Sequence, residues 1–198
     1  MKKPELLTLV LFRMKTHIET PRLLIREVEF SDVDDFYEMD SDPEVHKYLD
    51  QNPVKSKDEM LKVIEMIRQQ YKENGIARWA VVDKISGEML GWCGIKFFRE
   101  PINDHVNIYE FGYRFKQKHW GKGIATESSL AILDWGFKNL DTDTMYAITH
   151  PQNEVSMHVL KKMGFELKGH FYFDYINHED CTWFELKKED WKNLHQTV

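Results

Sequence analysis

The feature that most constrains this chain is a run of nine residues at positions 118–126, with the sequence KHWGKGIAT. It lies between a β-rich segment and a segment with helical periodicity. Its two glycines, Gly121 and Gly123, permit a tight turn whose amides face outward. The first N–H groups of a helix lack internal partners and sit at the positive end of the helix dipole, so phosphate is their natural ligand. The sequence therefore predicts a phosphate-binding loop here.

Three kinds of phosphate-binding loop are compatible with glycines at such a junction. A Walker A loop does not fit, because Lys122 is followed by Gly123 rather than by Ser or Thr. A Rossmann loop fits better, but Thr126 holds its third glycine position and the next strand ends at His150-Pro151 without an acidic residue. The third kind is a pyrophosphate loop for coenzyme A.

Hydrophobic periodicity and turn residues predict the secondary structure around this loop. Ser31 is the expected N-cap of the first helix, and Ser56 with Glu59 forms the expected capping box of the second. The predicted strands cover residues 21–30, 78–84, 88–98, 106–115, 145–150, 165–176 and 180–188, and the predicted helices begin at residues 31, 56, 121 and 153. This order, βααβββαβαββ, indicates a single mixed α/β domain.

Three segments resemble one known family. Residues 110–128, EFGYRFKQKHWGKGIATES, resemble the acetyl-CoA signature of GNAT acetyltransferases, [QR]-x-x-G-x-[GA]. Residues 20–27 resemble the first strand of the branch that contains the ribosomal-protein N-terminal acetyltransferases, and residues 153–169 resemble its fourth helix and sixth strand. Lys118 departs from the signature at its Gln or Arg position, where the family mainly uses the backbone N–H.

The resemblance implies a fold and a co-substrate. The fold is the α/β (α+β) GNAT fold, a twisted, mostly antiparallel mixed sheet of about seven strands flanked by about four helices. The co-substrate is acetyl-CoA, and Asn153 is expected to contact its pantetheine arm. The other residues that the resemblance assigns to acetyl-CoA binding are Arg114, Phe115, Gly121, Lys122, Gly123, Ile124, Ala125 and Thr126. A backbone N–H near residues 113–115 is expected to stabilise the oxyanion, where the family's fourth strand parts from its fifth.

Two side chains are the candidate catalytic residues. Glu110 matches a family glutamate and is expected to accept the amine proton or to attract a cationic substrate; its other interpretation is a solvated strand residue. Much of the family protonates the departing thiolate with a tyrosine, but Leu160 holds that position here. The branch often has N-x-x-S instead, so Ser156 is the expected proton donor. Asn153 and Ser156 could equally be a helix N-cap and a small helix residue.

Composition limits the other possibilities. The net charge of −6 leaves no sequence-wide positive field for nucleic acid, and no stretch is long enough to span a membrane. Cys93 and Cys181 are expected to be reduced core or strand residues of a cytoplasmic, bacterial-type protein. The nine histidines show no metal-ligand spacing, so no metal is expected. Residues 1–16 are interpreted as an N-terminal arm, either native or appended, and residues 17–194 as one domain.

The acceptor is the least constrained part of the prediction. An N-terminal amine of a ribosomal or other protein is the first expectation, because an α-amine with a pKa near 7.7–8.0 needs less help from a base than lysine does. A small amine (a polyamine, amino acid or aminoglycoside) and a non-catalytic acyl-CoA-binding role are the alternatives. Aromatic side chains at residues 170–175 could line the acceptor groove or pack in the core. Dimers are common in the branch, so a homodimer is compatible with the resemblance.

Overall fold

An eight-stranded mixed sheet organises the parts of the chain that this computed structural model describes, which are residues 17–49, 51–173 and 178–195. The sheet order is β1-β2-β3-β4-β5-β6-β8-β7. Neighbouring strands are antiparallel except β5 and β6, which are parallel. The strands are β1 (His17–Glu19), β2 (Leu23–Glu27), β3 (Arg78–Asp83), β4 (Met89–Phe98), β5 (Ile108–Phe115), β6 (Thr144–Thr149), β7 (Glu166–Phe173) and β8 (His178–Lys187).

Six α-helices flank the sheet in the described residues, together with two short 3-10 helices. They are α1 (Val33–Asp40), α2 (Pro43–His46), α3 (Lys57–Asn74), α4 (Ile124–Asn139), α5 (Glu154–Lys162) and α6 (Lys188–His195); the 3-10 helices are Phe30–Asp32 and Gln117–His119. The predicted mixed α/β class is confirmed, with one more strand and two more helices than expected. The additional elements are β1, α2 and α6. The predicted arm at residues 1–16 lies outside the described residues.

Helix α3 shows how the sequence specifies its elements. Ser56 Oγ accepts a hydrogen bond from the Glu59 N–H at 3.2 Å, which confirms the predicted N-cap. The helix ends at Gly75, whose φ of 77° suits glycine. Its buried stripe includes Tyr71, whose hydroxyl accepts from the Val28 N–H at 3.0 Å and donates to the Arg78 carbonyl. The stripe therefore ties α3 to the start of β3.

The cap predicted for the first helix is wrong. Ser31 lies inside the 3-10 helix Phe30–Asp32 rather than before a helix. The Asp32 carboxylate accepts from the Glu29 N–H at 2.8 Å and also receives both terminal nitrogens of Arg26, at 2.7 and 2.8 Å. Asp32 is only 4% exposed, and its carboxylate, neutralised by Arg26, closes a capping box with Glu29 on the 3-10 helix; at the start of α1 it makes no side-chain cap bond.

The hydrophobic core lies between the sheet and its helices. Trp79 of β3, one of the largest fully buried side chains, meets Trp135 of α4 edge to face at 4.7 Å between ring centroids. Cys93 and Cys181 are both buried free cysteines on strands, as predicted. Burial raises the pKa of the Cys93 thiol to about 12. A thiol so protonated and enclosed is a packing group.

Candidate active site

The candidate site is a gap between the two parallel strands in the middle of the sheet. β5 and β6 share one registered pair, Glu110↔Tyr146, and then part. The cavity between and beside them has a volume of about 330 Å³. Its lining includes Gly112, Tyr113 and Arg114 of β5 and the end of β6. The resemblance implied that two neighbouring strands part here, and the structure places a cavity at that point.

The main-chain groups of Tyr113 face this gap. The Lys116 N–H donates to the Leu90 carbonyl at 3.0 Å, and the register between β4 and β5 is unbroken. Because antiparallel residues alternate between bonding and non-bonding pairs, Arg114 and Gly112 bond to β4, and Tyr113 turns its N–H and C=O towards β6. In the described residues the ladder to β6 stops at Glu110↔Tyr146, so these groups lie at the open part of the gap.

The glycine loop meets the predicted geometry. Helix α4 begins at Ile124, after Gly123 with a φ of 76°, and Gly121 has a φ of 71°. A β-carbon at Gly121 would meet no atom within 4 Å. Position 121 needs glycine because of its positive φ, and the space beside Gly121 is open to a ligand. Ala125 and Thr126 lie in the first turn of α4, where N–H groups lack helical partners.

Ion pairs hold one side of this loop against α1 and against Glu88, which directly precedes β4. Lys116 Nζ lies 2.6 Å from Asp35, 2.7 Å from Glu38 and 3.0 Å from Glu88. Lys118 Nζ also pairs with Glu38 at 2.6 Å and with Glu88 at 2.8 Å. Lys118, then Lys116, lowers the pKa of Glu88 to about 2. The three carboxylates are close enough to share one cation, and the buried Lys116 ammonium is the cation they hold.

Arg22 holds the other side of the loop. Its Nε donates to Glu127 Oε2 at 2.6 Å, and its Nη1 donates to the Lys122 carbonyl at 3.0 Å. Lys122 is therefore fixed through its backbone. Arg22 has no local sequence pattern that links it to the loop, because it lies about a hundred positions from Lys122.

Glu110 is buried in the cavity wall and is not a solvated strand residue. It is 6% exposed, and its Oε2 accepts from Arg78 Nη2 at 2.6 Å. Its Oε1 lies on the side of Gly112, 3.2 Å from where a β-carbon of that residue would be. Arg78, which sequence analysis missed, lies over the ring of Trp92 at 4.7 Å from its centroid. Arg78 thus fixes one carboxylate oxygen while both residues line the cavity.

Ser156 lies across the gap beside a second hydroxyl. Its Oγ is 3.1 Å from the Tyr113 hydroxyl, which also donates to the Ser156 carbonyl at 3.3 Å. Burial raises the pKa of Tyr113 to about 12. Asn153 caps α5, since its Oδ1 accepts from the Ser156 N–H at 3.1 Å. Leu160 is buried in the same wall. The Tyr113 side chain is the hydroxyl that sequence analysis missed.

Arg114 and Phe115 were predicted to bind acetyl-CoA, but the prediction did not say through which atoms. The Arg114 guanidinium pairs with Asp40 of α1 at 2.8 Å, and the Phe115 carbonyl accepts from Trp120 Nε1 at 2.8 Å. Trp120 is therefore held at the start of the loop by a bond to the main chain. Of the predicted aromatic cluster at residues 170–175, Phe173 lines the cavity and Phe171 packs edge to face against Trp183, while residues 174–175 lie outside the described residues.

Comparison of this sequence with known protein families gives a result that agrees with the gap, the glycine loop and the buried carboxylate. Residues 22–166 match the family described as "Acetyltransferase (GNAT) domain". The chain belongs to the GNAT acetyltransferase family. It is 33% identical over 155 residues to the uncharacterized N-acetyltransferase YnaD of Bacillus subtilis, covering 78% of this chain and 85% of YnaD.

Solved structures give the same family and fold. A GNAT acetyltransferase from Bacillus anthracis superimposes with a TM-score of 0.72 at 26% identity, covering 88% of this chain and 99% of that one. RimL, the ribosomal L7/L12 α-N-protein acetyltransferase in complex with coenzyme A, gives a TM-score of 0.74 at 20% identity, covering 87% and 98%. At 20% identity the second likeness shows the fold alone, so the N-terminal acetyltransferase branch is not established.

The site fits the co-substrate that this GNAT family uses, acetyl-CoA. The open cradle at Gly121 and the first turn of α4 suit a pyrophosphate, and the free edge of β5 suits an amide-bearing arm. When bound there, acetyl-CoA would supply an activated thioester carbonyl. In the described parts of the chain, no helix is both long and apolar enough to cross a membrane.

Proposed function

We propose that the chain transfers the acetyl group of acetyl-CoA to a primary amine inside the β5–β6 cavity. The observation that carries this proposal is the parting of the strands just past Glu110↔Tyr146. Since side chains alternate along a strand, Glu110 and Tyr113 lie on opposite faces of β5. An amine and a thioester that meet in the gap would therefore have a carboxylate on one side and hydroxyls on the other.

In the proposed reaction the amine nitrogen bonds to the thioester carbon, the C–S bond breaks, the nitrogen loses a proton and the sulfur gains one. Glu110 takes the amine proton directly or through water, with Oε1 as the accepting atom because Arg78 holds Oε2. The Tyr113 N–H, which faces the gap, stabilises the oxyanion.

The departing sulfur receives its proton from the hydroxyl pair of Tyr113 and Ser156. The 3.1 Å separation of the two oxygens lets either one donate while the other replaces the proton. Leu160, at the position where much of the family has a tyrosine, lines the same cavity but has no proton to give, so the hydroxyl pair takes this role. Asn153 keeps Ser156 in place by capping α5 and lines the path of the pantetheine arm.

The acceptor that suits the cavity best is a small amine. A volume of about 330 Å³ lies at the lower end of the range for small-ligand pockets, and the acetyl end of the donor occupies part of it. A protein N-terminal amine is the second candidate, because its α-amine is more readily deprotonated than a lysine amine.

The test is to incubate the purified protein with acetyl-CoA and a panel of small amines and N-terminal peptides, following thiol release and product mass. We expect thiol release with one acetylated product class. If the protein binds acetyl-CoA but releases no thiol with any amine or peptide of the panel, the proposal is contradicted. That result would indicate a non-catalytic acyl-CoA-binding protein.

A further inference from the structure

Two different structures cover the face of the sheet that carries Glu110. Because β5 and β6 pair in register at Glu110 and side chains alternate along a strand, Ile148 and Arg114 share this face. Beside β5, helix α1 lies over the face and pairs with Arg114, and α3 packs on α1. Beyond β6, the loop at residues 99–107 lies over it instead, with His105 stacked on Trp183. The cavity opens between these two covers, with Glu110 at its base.

Apolar side chains line both walls of this opening. The helical wall consists of Val63 and Met66, one turn apart on α3, and the sheet wall consists of Phe98 and Ile148. The two residues of the sheet wall belong to the apolar cluster under the 99–107 loop. Met66 is 57% exposed, and of the large apolar side chains left exposed in the described residues it is the one that lines this cavity. A bound apolar group would therefore bury it.

A second cavity, with a volume of about 540 Å³, adjoins the first one along α3. Both cavities are lined by Val63 and Met66, and by Asp40 and Arg114. The acetyl end of the donor and the amine take up part of the first cavity. A substituent on the amine therefore has room to extend along Met66 into the second.

The carboxylates beside the reacting amine are bonded to guanidinium groups. Glu110 pairs with Arg78 at 2.6 Å, and Asp40 pairs with Arg114 at 2.8 Å. In the described parts of the chain these are the two carboxylates that line the first cavity, and both are buried. A second ammonium on the acceptor would have to compete for one of these pairs after losing its water. An apolar substituent meets no such cost and gains by leaving water.

We infer that the acceptor is a primary amine with an apolar chain or ring, and that Met66 and Phe98 bind this apolar group between the helical wall and the sheet wall. This inference rests on the proposed acetyl transfer and adds the class of its acceptor. The amine lies beside Glu110 Oε1 while its apolar group extends along α3. Met66 is a specificity residue that takes no part in bond making, and its flexible thioether chain adapts to groups of different shape.

The decisive comparison is among amines of similar length that differ at the far end. Hexylamine ends in a methyl group, aminopentanol in a hydroxyl, cadaverine in a second ammonium and δ-aminovalerate in a carboxylate. Ethylamine and butylamine complete the alkyl series, whose members are almost equally basic. The quantity measured is kcat/KM, from thiol release at neutral pH.

We expect kcat/KM to rise about threefold for each added methylene from ethylamine to hexylamine, which is the usual gain from burying a CH₂ group. Hexylamine should exceed each of the three polar analogues by about tenfold or more. For cadaverine the intrinsic bias runs the other way, because its second ammonium lowers the basicity of the first amine and leaves more of it neutral.

Variants of α3 assign the preference to the helical wall. Met66→Gln keeps the length of the side chain but makes it polar, and the hexylamine-to-ethylamine ratio should fall about fivefold to tenfold. Met66→Glu should raise cadaverine relative to hexylamine. The matched control is Leu61→Gln, at an exposed apolar residue of α3 that lines neither cavity, and it should keep the wild-type ratio. A ratio of two substrates does not depend on how much of a variant is folded.

The outcomes separate this inference from the proposed function. If kcat/KM does not rise along the alkyl series, or if a polar analogue or only a peptide is the better acceptor, the inference is wrong and the acetyl transfer stands. A change in Met66→Gln no larger than in Leu61→Gln would also overturn it.

If no amine is acetylated, the proposed function fails, and calorimetric titration of hexylamine and cadaverine into the protein with CoA tests the apolar site independently. Tighter binding of hexylamine, weakened in Met66→Gln, would support the site. Equal or absent binding of the two amines would overturn it.

Discussion

Tyr113 and Ser156 bring two hydroxyl groups within hydrogen-bond distance of each other. They are 43 positions apart, and they meet because β5 and α5 flank the same gap. The pKa of Tyr113, raised by burial to about 12, keeps its proton on the oxygen throughout the working pH range. A neutral phenol beside a serine can pass a proton without first having to capture one.

This arrangement predicts that the two hydroxyls act as one unit. Tyr113→Phe and Ser156→Ala should each lower kcat by about 10²-fold, within the usual range for general acid catalysis, with little change in acetyl-CoA affinity. The double variant should lose hardly more than the worse single variant, because either change breaks the same relay. Steady-state kinetics on the four proteins would test this. If the kcat losses of the two single variants multiply in the double variant, the hydroxyls act separately. If Ser156→Ala keeps wild-type turnover, Ser156 has no part in the mechanism.

At the scale of the element, local patterns predicted most of the fold. The spacing of apolar residues in α3 and its Ser56 cap are signals within a few residues of one another. Helix α6 was not predicted, because Trp191 is its only buried residue and the helix therefore has no apolar stripe. Strand β1 has three residues and owes its conformation to β2.

The same reasoning separates the predictable part of the site from the rest. The glycine loop was predictable because it is contiguous. The contact of Arg78 with Glu110 joins β3 to β5, and it depends on a register that no single segment contains. Sequence patterns therefore indicate where a ligand's phosphates bind more readily than which side chains face its reacting atoms.

The glycine loop allows a matched test. Gly121 and Gly87 have φ values of 71° and 72°, and a β-carbon at either would meet nothing within 4 Å. Gly121→Ala and Gly87→Ala should therefore destabilise the fold alike, by about 1–2 kcal/mol for the left-handed backbone. Only Gly121→Ala should weaken acetyl-CoA binding, by about tenfold or 1.4 kcal/mol, since Gly87 is in the β3–β4 turn. Denaturation and calorimetry measure the two effects. Equal loss of affinity would show that the loop backbone has no special role.

At the scale of the whole molecule, buried acids set the response to alkali. Burial raises the pKa of Cys93 and of Tyr113 to about 12 and that of Cys181 to about 11, and it also raises the pKa of Tyr71. These groups lose their protons more easily when unfolded, near pH 8.5 for cysteine and 10 for tyrosine. Their stabilising contribution is complete below those values and is lost as the pH rises towards 12.

We therefore expect the free energy of unfolding to fall steadily from pH 9 to pH 11. Cys93→Ala should make that fall shallower by up to about 1.4 kcal/mol per pH unit, the linkage of one proton. Urea denaturation at pH 7, 9, 10 and 11 on both proteins would measure the slopes. The pH 7 value serves as the control for the lost packing of the thiol, and identical slopes would contradict the assignment.

The parting of β5 from β6 leaves a strand edge in the middle of the sheet instead of at its rim. Such an edge offers hydrogen bonds from the main chain, which every residue except proline provides in the same way. Substitutions along β5 that preserve the strand therefore preserve this half of the site. Mutation is free to rebuild the side chains of the opposing walls, so a lineage with this architecture can exchange one acceptor for another while its donor stays the same.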